Sequence, residues 1–491
     1  MYEGMKPFVP ARPTPVSTPS GCGAPRPATG QSRVTTWRLA RLAERLTKFH
    51  ERYTAFFVTR TRSVVESSKK YLFGLIQSEK KNMERMAEVV PNSDDQAYQH
   101  FMSKSPWDHR AVLSQVASDV DAAIGGCDDC FLVIDESALV KKGKKSVGVA
   151  RQWNGRLGKV DNCQVGVFAA MGSGDEVSLI NERLYLPKEW TDNPRRCDEA
   201  KIPENERVFR TKAELALEMV GDARRQGLRY AWTGLDGGYG KEGWLLRALD
   251  RDGETWVADV HRDQAVYLED PMPIVPERRS SKGKAPSRLV ARTTSVRVDK
   301  WAATQPESDW RKVIIREGTK GTLAVEVLHR RVWLWDGEEP AAHCWHLIVR
   351  REITSPREIK YSLSNAPEAT ATERLAYQQA QRFWVEQALR NAKSETGLGD
   401  YQLRLWQGWH HHMAMVMLAM LFMFEVRREH KSELSLLSCH DIVEVLRVLL
   451  PRANVTYEDI LRQLEERHRR RQASIDSAHA RQRGQRQYSG P

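Results

Sequence analysis

Three acidic residues occupy positions suited to a shared site: Asp135, Asp236 and Glu386. Asp135 closes the apolar run 131–134 and Asp236 closes the run 228–235, so each sits at the C-terminal end of a predicted strand. Side chains at such ends gather at the open edge of a sheet. Burying a carboxylate there is costly unless a cation compensates it. A lone Asp after a strand is commonly only a turn or N-cap residue; two in one core shift the reading toward a shared site. Arg382, Glu386 and Lys393 recur at steps of four and seven residues, on one helix face. Taken alone, that stripe reads as a solvated surface with a weak ion pair. Phe383 and Trp384 beside it suggest packing on the core. The seven-residue step sets Lys393 about 10 Å beyond Glu386, within reach of a neighbouring phosphate.

The elements that must position these residues follow from the hydrophobic period. Residues 37–124 repeat apolar side chains at three- and four-residue steps (Leu39, Leu42, Leu46, Phe49, Tyr53) with basic residues between them, the pattern of an all-helical segment. The period then changes. Strands are predicted at 131–134, 163–171, 177–186, 228–235 and 255–260. Gly172, Ser173, Gly174 and Asp175 make the hairpin turn. A helix over 211–226 has Thr211 as N-cap with Glu214 three residues on, and Gly227 just past its end. Gly237, Gly238 and Gly240 let the chain turn sharply after Asp236. Residues 313–363 alternate apolar and polar as a β-rich stretch. Helices are expected from 373 past 393, over about 401–429, and between 438 and 450.

Composition narrows the class. The 491 residues are too many for one ordinary domain. A net charge of +12 favours an anionic partner such as nucleic acid, although charge alone is weak evidence. The longest strongly apolar run, 413–424, is short of a bilayer span, so no membrane role is expected. Seven scattered cysteines do not form a disulfide framework. The expectation is a cytoplasmic, multi-domain, basic protein.

The residues at these positions resemble a known family. The segments FLVIDES from Phe131, GLDGGYG from Gly234, RFWVE from Arg382 and KSETGL from Lys393 are similar to bacterial insertion-sequence transposases of the aspartate-aspartate-glutamate superfamily. The last two resemble the tyrosine-arginine-glutamate-lysine signature of one branch. Stretches at 151–153, 158–164, 183–187 and 211–212 match as well, so the resemblance covers roughly residues 37–450. The tyrosine departs from it: Tyr377 lies five residues before Arg382, where the signature sets it three before.

The resemblance implies an α/β fold, with an RNase H-like mixed sheet, a β-rich insertion, and helical regions at both ends. It implies that Asp135, Asp236 and Glu386 are catalytic and bind metal. Hard oxygen ligands suit two Mg²⁺ ions, with Mn²⁺ able to substitute. Arg382 and Lys393 are then expected on DNA phosphates, and the run Lys141, Lys142 as a further contact. The implied partners are transposon-end DNA and target DNA, bound by a homodimer in the bacterial nucleoid. The expected units are a Pro-rich disordered arm (1–36), a helical DNA-binding module (37–125), the first part of the catalytic core (126–276), and a basic loop with the β insertion (277–365). The second part of the core (366–430) and C-terminal helices with a basic tail (431–491) follow.

Two other functions fit the same residues: a structure-specific nuclease that cuts without joining, and a decayed copy that only binds DNA. Other motifs are weaker. Cys127 and Cys130 lack the second pair a zinc site needs. His410, His411 and His412 are adjacent, hence about 100° apart on a helix, and do not make one ligand set.

Overall fold

The computed structural model describes residues 39–488, apart from 61, 156, 278–285, 319–320 and 356. The arm expected at 1–36 and part of the expected basic loop lie outside the described residues. The rest is mixed α/β, organised on one large sheet.

Five strands make the centre of that sheet: β1 (Cys130–Val140), β3 (Lys159–Ser173), β4 (Glu176–Leu184), β5 (Trp232–Leu235) and β6 (Trp256–Val260), with β2 (Ala150–Asn154) extending the far side of β3. β3 pairs antiparallel with both β1 and β4; β5 and β6 lie parallel to β1 on its other side. This is the RNase H-like arrangement that the resemblance implied.

The hairpin turns where expected, with Gly174 in the left-handed region at φ +60°. The helix Lys212–Arg225 that crosses from β4 to β5 begins with a complete Thr211/Glu214 capping box and is followed by Gly227 at φ +71°. β7 (Ala265–Val266) and β8 (Val296–Arg297) form a small ribbon, and a helix follows at Val298–Ala303. The last residues of the expected loop are therefore ordered structure. β9 (Arg311–Gly318), β10 (Gly321–Leu334), β11 (His343–Glu352) and β12 (Ile359–Ser364) then extend the main sheet, because β12 pairs antiparallel with β6. The β-rich stretch thus continues the core sheet edge to edge.

One expected boundary moves. Asp135 does not end its strand. β1 continues to Val140 because β3 goes on pairing with it, Val140 lying opposite Cys163. Only the parallel partner stops, with Ile134 opposite Leu235.

The helix Trp406–Glu429 is apolar on every side and buried along almost its whole length, as a helix surrounded by protein must be. β4 packs on it, and so do the helices Val65–Gln77, Asp95–Ser103 and His109–Ile124. Phe49 meets Phe422 edge-on at 5.4 Å between ring centroids. The N-terminal helices and the central sheet therefore share one continuous apolar core. Among the described residues, no helix is long and apolar enough to cross a membrane.

The three adjacent histidines point to three different partners. His410 Nδ1 lies 2.5 Å from Glu182 Oε1, and Trp409 Nε1 donates to Glu182 Oε2 at 2.8 Å. His411 Nε2 donates to the Trp107 carbonyl at 3.0 Å and its ring stacks on Trp107. His412 Nε2 donates to the Gly397 carbonyl at 3.0 Å, while its Nδ1 accepts from the Tyr71 hydroxyl.

Burial pushes His411 and His412 down to about 3, and burial with the nearby Lys69 pushes His50 down to about 4. These rings stay neutral in the folded chain, whereas the unfolded chain protonates them below an ordinary pKa of about 6.5. The stability they contribute is present above that value and is lost as pH falls from it toward 3. The loss is on the order of 1 kcal/mol per pH unit for each group. Thermal unfolding followed from about pH 7.5 down to about pH 5 should show a steadily falling Tm; a flat Tm over that range would refute the assignment.

Candidate active site

Three parallel strands bring acids to one end of the sheet. Ile134 pairs with Leu235, and Leu235 with Ala258, so the next residues, Asp135, Asp236 and Asp259, continue as one row across β1, β5 and β6. On β12, Ser362 pairs opposite Asp259 and extends the row. Asp135 is buried; its Oδ1 accepts from the Glu136 amide at 2.7 Å. Asp236 Oδ1 accepts from the amides of Gly238 at 2.9 Å and Tyr239 at 3.2 Å, capping the single helical turn Gly237–Gly240. Gly240 is needed there: a Cβ on it would lie 1.9 Å from the backbone oxygen of Asp259.

The helix Phe383–Glu395 delivers the remaining groups. Arg382, at its N-terminal boundary, places a guanidinium over the row with each nitrogen on a different carboxylate. Nε lies 2.9 Å from Asp259, Nη2 2.9 Å from Glu386 and Nη1 3.5 Å from Asp135. Asp135, Asp236, Glu386 and Arg382, four residues singled out from the sequence, are thus brought together. The i,i+4 pair Arg382–Glu386 forms, but over the acids rather than on a solvated stripe.

Residues 57–322 match the family model of the DDE superfamily endonucleases. The chain belongs to that family. It is also 23% identical over 330 residues to a probable transposase for insertion sequence element IS701 of Microchaete diplosiphon, a match covering 66% of this chain and 73% of that one. The DDE family match includes Asp135 and Asp236 and stops before Glu386, which joins them through Arg382.

In this DDE endonuclease the electrostatics of the cluster follow from crowding. Burial, then the neighbouring charge of Asp236, pushes the Asp135 carboxyl up to about 7. Burial also raises Asp236, against the opposing effect of Arg382. Burial works to lower the Arg382 pKa, but Asp259, Asp135, Glu386 and Asp236 outweigh it and raise the guanidinium above its ordinary value. The Tyr239 hydroxyl is buried with no hydrogen-bond partner among the described residues, and Glu136, Asp236 and Asp135 join burial in raising its pKa. Carboxyls raised first by burial and then by neighbouring acids, with oxygen donors only, are the environment that hard divalent cations stabilise. The residues fit such ions.

Other expected residues fall elsewhere. Lys393 lies half-buried on the same helix as Glu386. Just past the end of β1, Lys141 is half-buried and Lys142 is exposed; the Lys141 ammonium turns inward, 3.8 Å from the centre of the Tyr401 ring and 2.9 Å from the Tyr401 carbonyl.

 Burial pushes the Lys141 ammonium down to about 8. Tyr377 lines a separate cleft with Arg316 and Trp384. A cleft of about 610 Å³ opens beside Asp236 instead, lined by Glu136, Trp153, Lys212, Lys241 and Trp244.

Sequence reasoning missed Asp259 and Tyr239. Asp259 stands one residue before the end of a predicted strand, and only the strand order shows that it joins the row. Gly240→Ala is expected to destabilise the DDE endonuclease by about 1–3 kcal/mol, by pushing the Asp236 turn off β6. Gly237→Ala, whose Cβ would meet nothing closer than 3.8 Å, should cost less. Thermal unfolding of the two variants checks this, and equal Tm values would refute it.

Proposed function

We propose that this chain is an insertion-sequence transposase that binds the ends of its element, cuts the DNA there and joins the freed 3′ end to target DNA. The observation that carries this reading is the single half-buried guanidinium of Arg382 that meets both Asp135 and Glu386, with Asp236 next to Asp135 in register, at the open end of an RNase H-like sheet. The similarity to the probable IS701 transposase supports the joining step.

In this reading Asp135, Asp236 and Glu386 hold two Mg²⁺ or Mn²⁺ ions. Such ions supply Lewis-acid activation of the attacking oxygen and charge stabilisation at the leaving oxygen. The chain's own contribution is geometric. Backbone amides orient Asp236, the strand register sets Asp135 beside it, and helix packing brings Glu386 over both. Lys393 and the exposed Lys142 serve as phosphate contacts that position DNA without reading its sequence. The cleft at Asp236, with Trp153 and Trp244 among its lining residues and Lys212 and Lys241 for charge, is the path assigned to a DNA strand. The proposed units are the helical segment 37–125 for element ends, the sheet for catalysis, and a homodimer to hold two ends.

The test is a cleavage-and-joining assay with the DNA flanking the gene, a plasmid target and Mg²⁺ or Mn²⁺. Wild type is expected to give joined product. Asp135→Asn should bind the same DNA while cleavage falls by at least about 10³-fold, since several kcal/mol of transition-state stabilisation go with the ions. Ends without joined product would identify a nuclease, and binding without cutting by both proteins a decayed copy. End binding should also weaken steeply with salt, because each phosphate contact releases counterions; an affinity independent of salt would refute the phosphate contacts.

A further inference from the structure

Arg382 meets three carboxylates, and one of them, Asp259, is not among the acids of the proposed catalytic set. Its surroundings differ from theirs. Asp259 Oδ1 accepts from the Ser362 hydroxyl at 2.6 Å, and Ser362 Oγ in turn accepts from Gln379 Nε2 at 2.6 Å. Ser362 and Gln379 are buried. Asp259 Oδ2 takes Arg382 Nε at 2.9 Å. Both oxygens of Asp259 are thus committed, from β12 on one side and from the guanidinium on the other. Asp135 is held more loosely, at 3.5 Å, and the Glu386 side chain is nearly half exposed.

We propose that Arg382 is the resident counter-ion of the acid cluster and that Asp259 is a positioning residue that tethers it through Nε. Divalent cations exchange with Nη1 and Nη2 for Asp135 and Glu386. The tether stays in place, and the two terminal nitrogens become available to a DNA phosphate as a paired donor. The charges agree with this exchange. Asp135, Asp236, Asp259 and Glu386 carry four negative charges when ionised; two divalent ions, one guanidinium and one phosphodiester complete a neutral set. Without Asp259, the same set carries an excess positive charge, and the guanidinium is free to settle on the acids that the ions need.

This inference rests on the metal-binding reading of the cluster, and its test separates the two. Mn²⁺ binding by the full-length protein is measured without DNA, from the electron paramagnetic resonance signal of the free ion. Arg382→Ala should bind Mn²⁺ about tenfold more tightly, because the competing cation is gone. Asp259→Ala should bind it several-fold more weakly, because the released guanidinium competes harder. Asp259→Asn keeps an acceptor oxygen for Nε and should lie between wild type and Asp259→Ala. In the Arg382→Ala background, Asp259→Ala should change little, since Asp259 acts only through Arg382. A purely structural role would not give opposite signs for the two single variants. Equal weakening by Asp259→Ala in both backgrounds would make Asp259 a ligand and overturn the proposal, as would an unchanged affinity in the wild-type background. If wild type and Asp135→Asn titrate alike, no ion binds at this cluster, and the metal reading falls with the inference.

Discussion

Like-charge repulsion at the end of the sheet is the constraint around which this protein is built. Parallel pairing of β1, β5 and β6 aligns Asp135, Asp236 and Asp259, and aligned carboxylates repel unless something positive lies among them. Arg382 meets that need, with its three guanidinium nitrogens on Asp135, Asp259 and Glu386. The position of the helix Phe383–Glu395, and so of Glu386, follows from where that guanidinium must sit. A one-residue slip of β5 or β6 would send its acid to the opposite face of the sheet.

The β extension takes part in the same arrangement. β12 adds to the edge of β6, and Ser362 reaches Asp259 from it. Trp256 on β6 and Trp345 on β11 meet edge-on at 4.7 Å between centroids, fastening the two halves of the sheet. The long insertion between β6 and the acidic helix therefore reaches the site through hydrogen bonds and shared backbone pairing.

Much of this was legible in the residues. Short apolar runs marked β1, β5 and β6, and the Thr211/Glu214 pair marked a helix start, because strand burial and capping are local effects. The i,i+4 spacing of Arg382 and Glu386 was equally local. What lay out of reach depends on register and strand order. Asp259 looks like any strand residue until β6 is placed beside β5. The Lys141 ammonium looks solvated until Tyr401, distant in sequence, comes to meet it. The helix Trp406–Glu429 reads as an ordinary apolar run, and nothing local says that the N-terminal helices will enclose it.

That enclosure has a consequence for how the chain is made. The helices between residues 42 and 124 bury their apolar faces against a helix that ends at Glu429. A ribosome adding roughly 5–20 residues per second takes on the order of 15–60 s to travel from the one to the other. For that interval the N-terminal helices are synthesised but lack the partner that covers them. Their apolar faces stay open to other partners until the last third of the chain emerges, so the early part of each new molecule is the part most exposed to aggregation and to proteolysis.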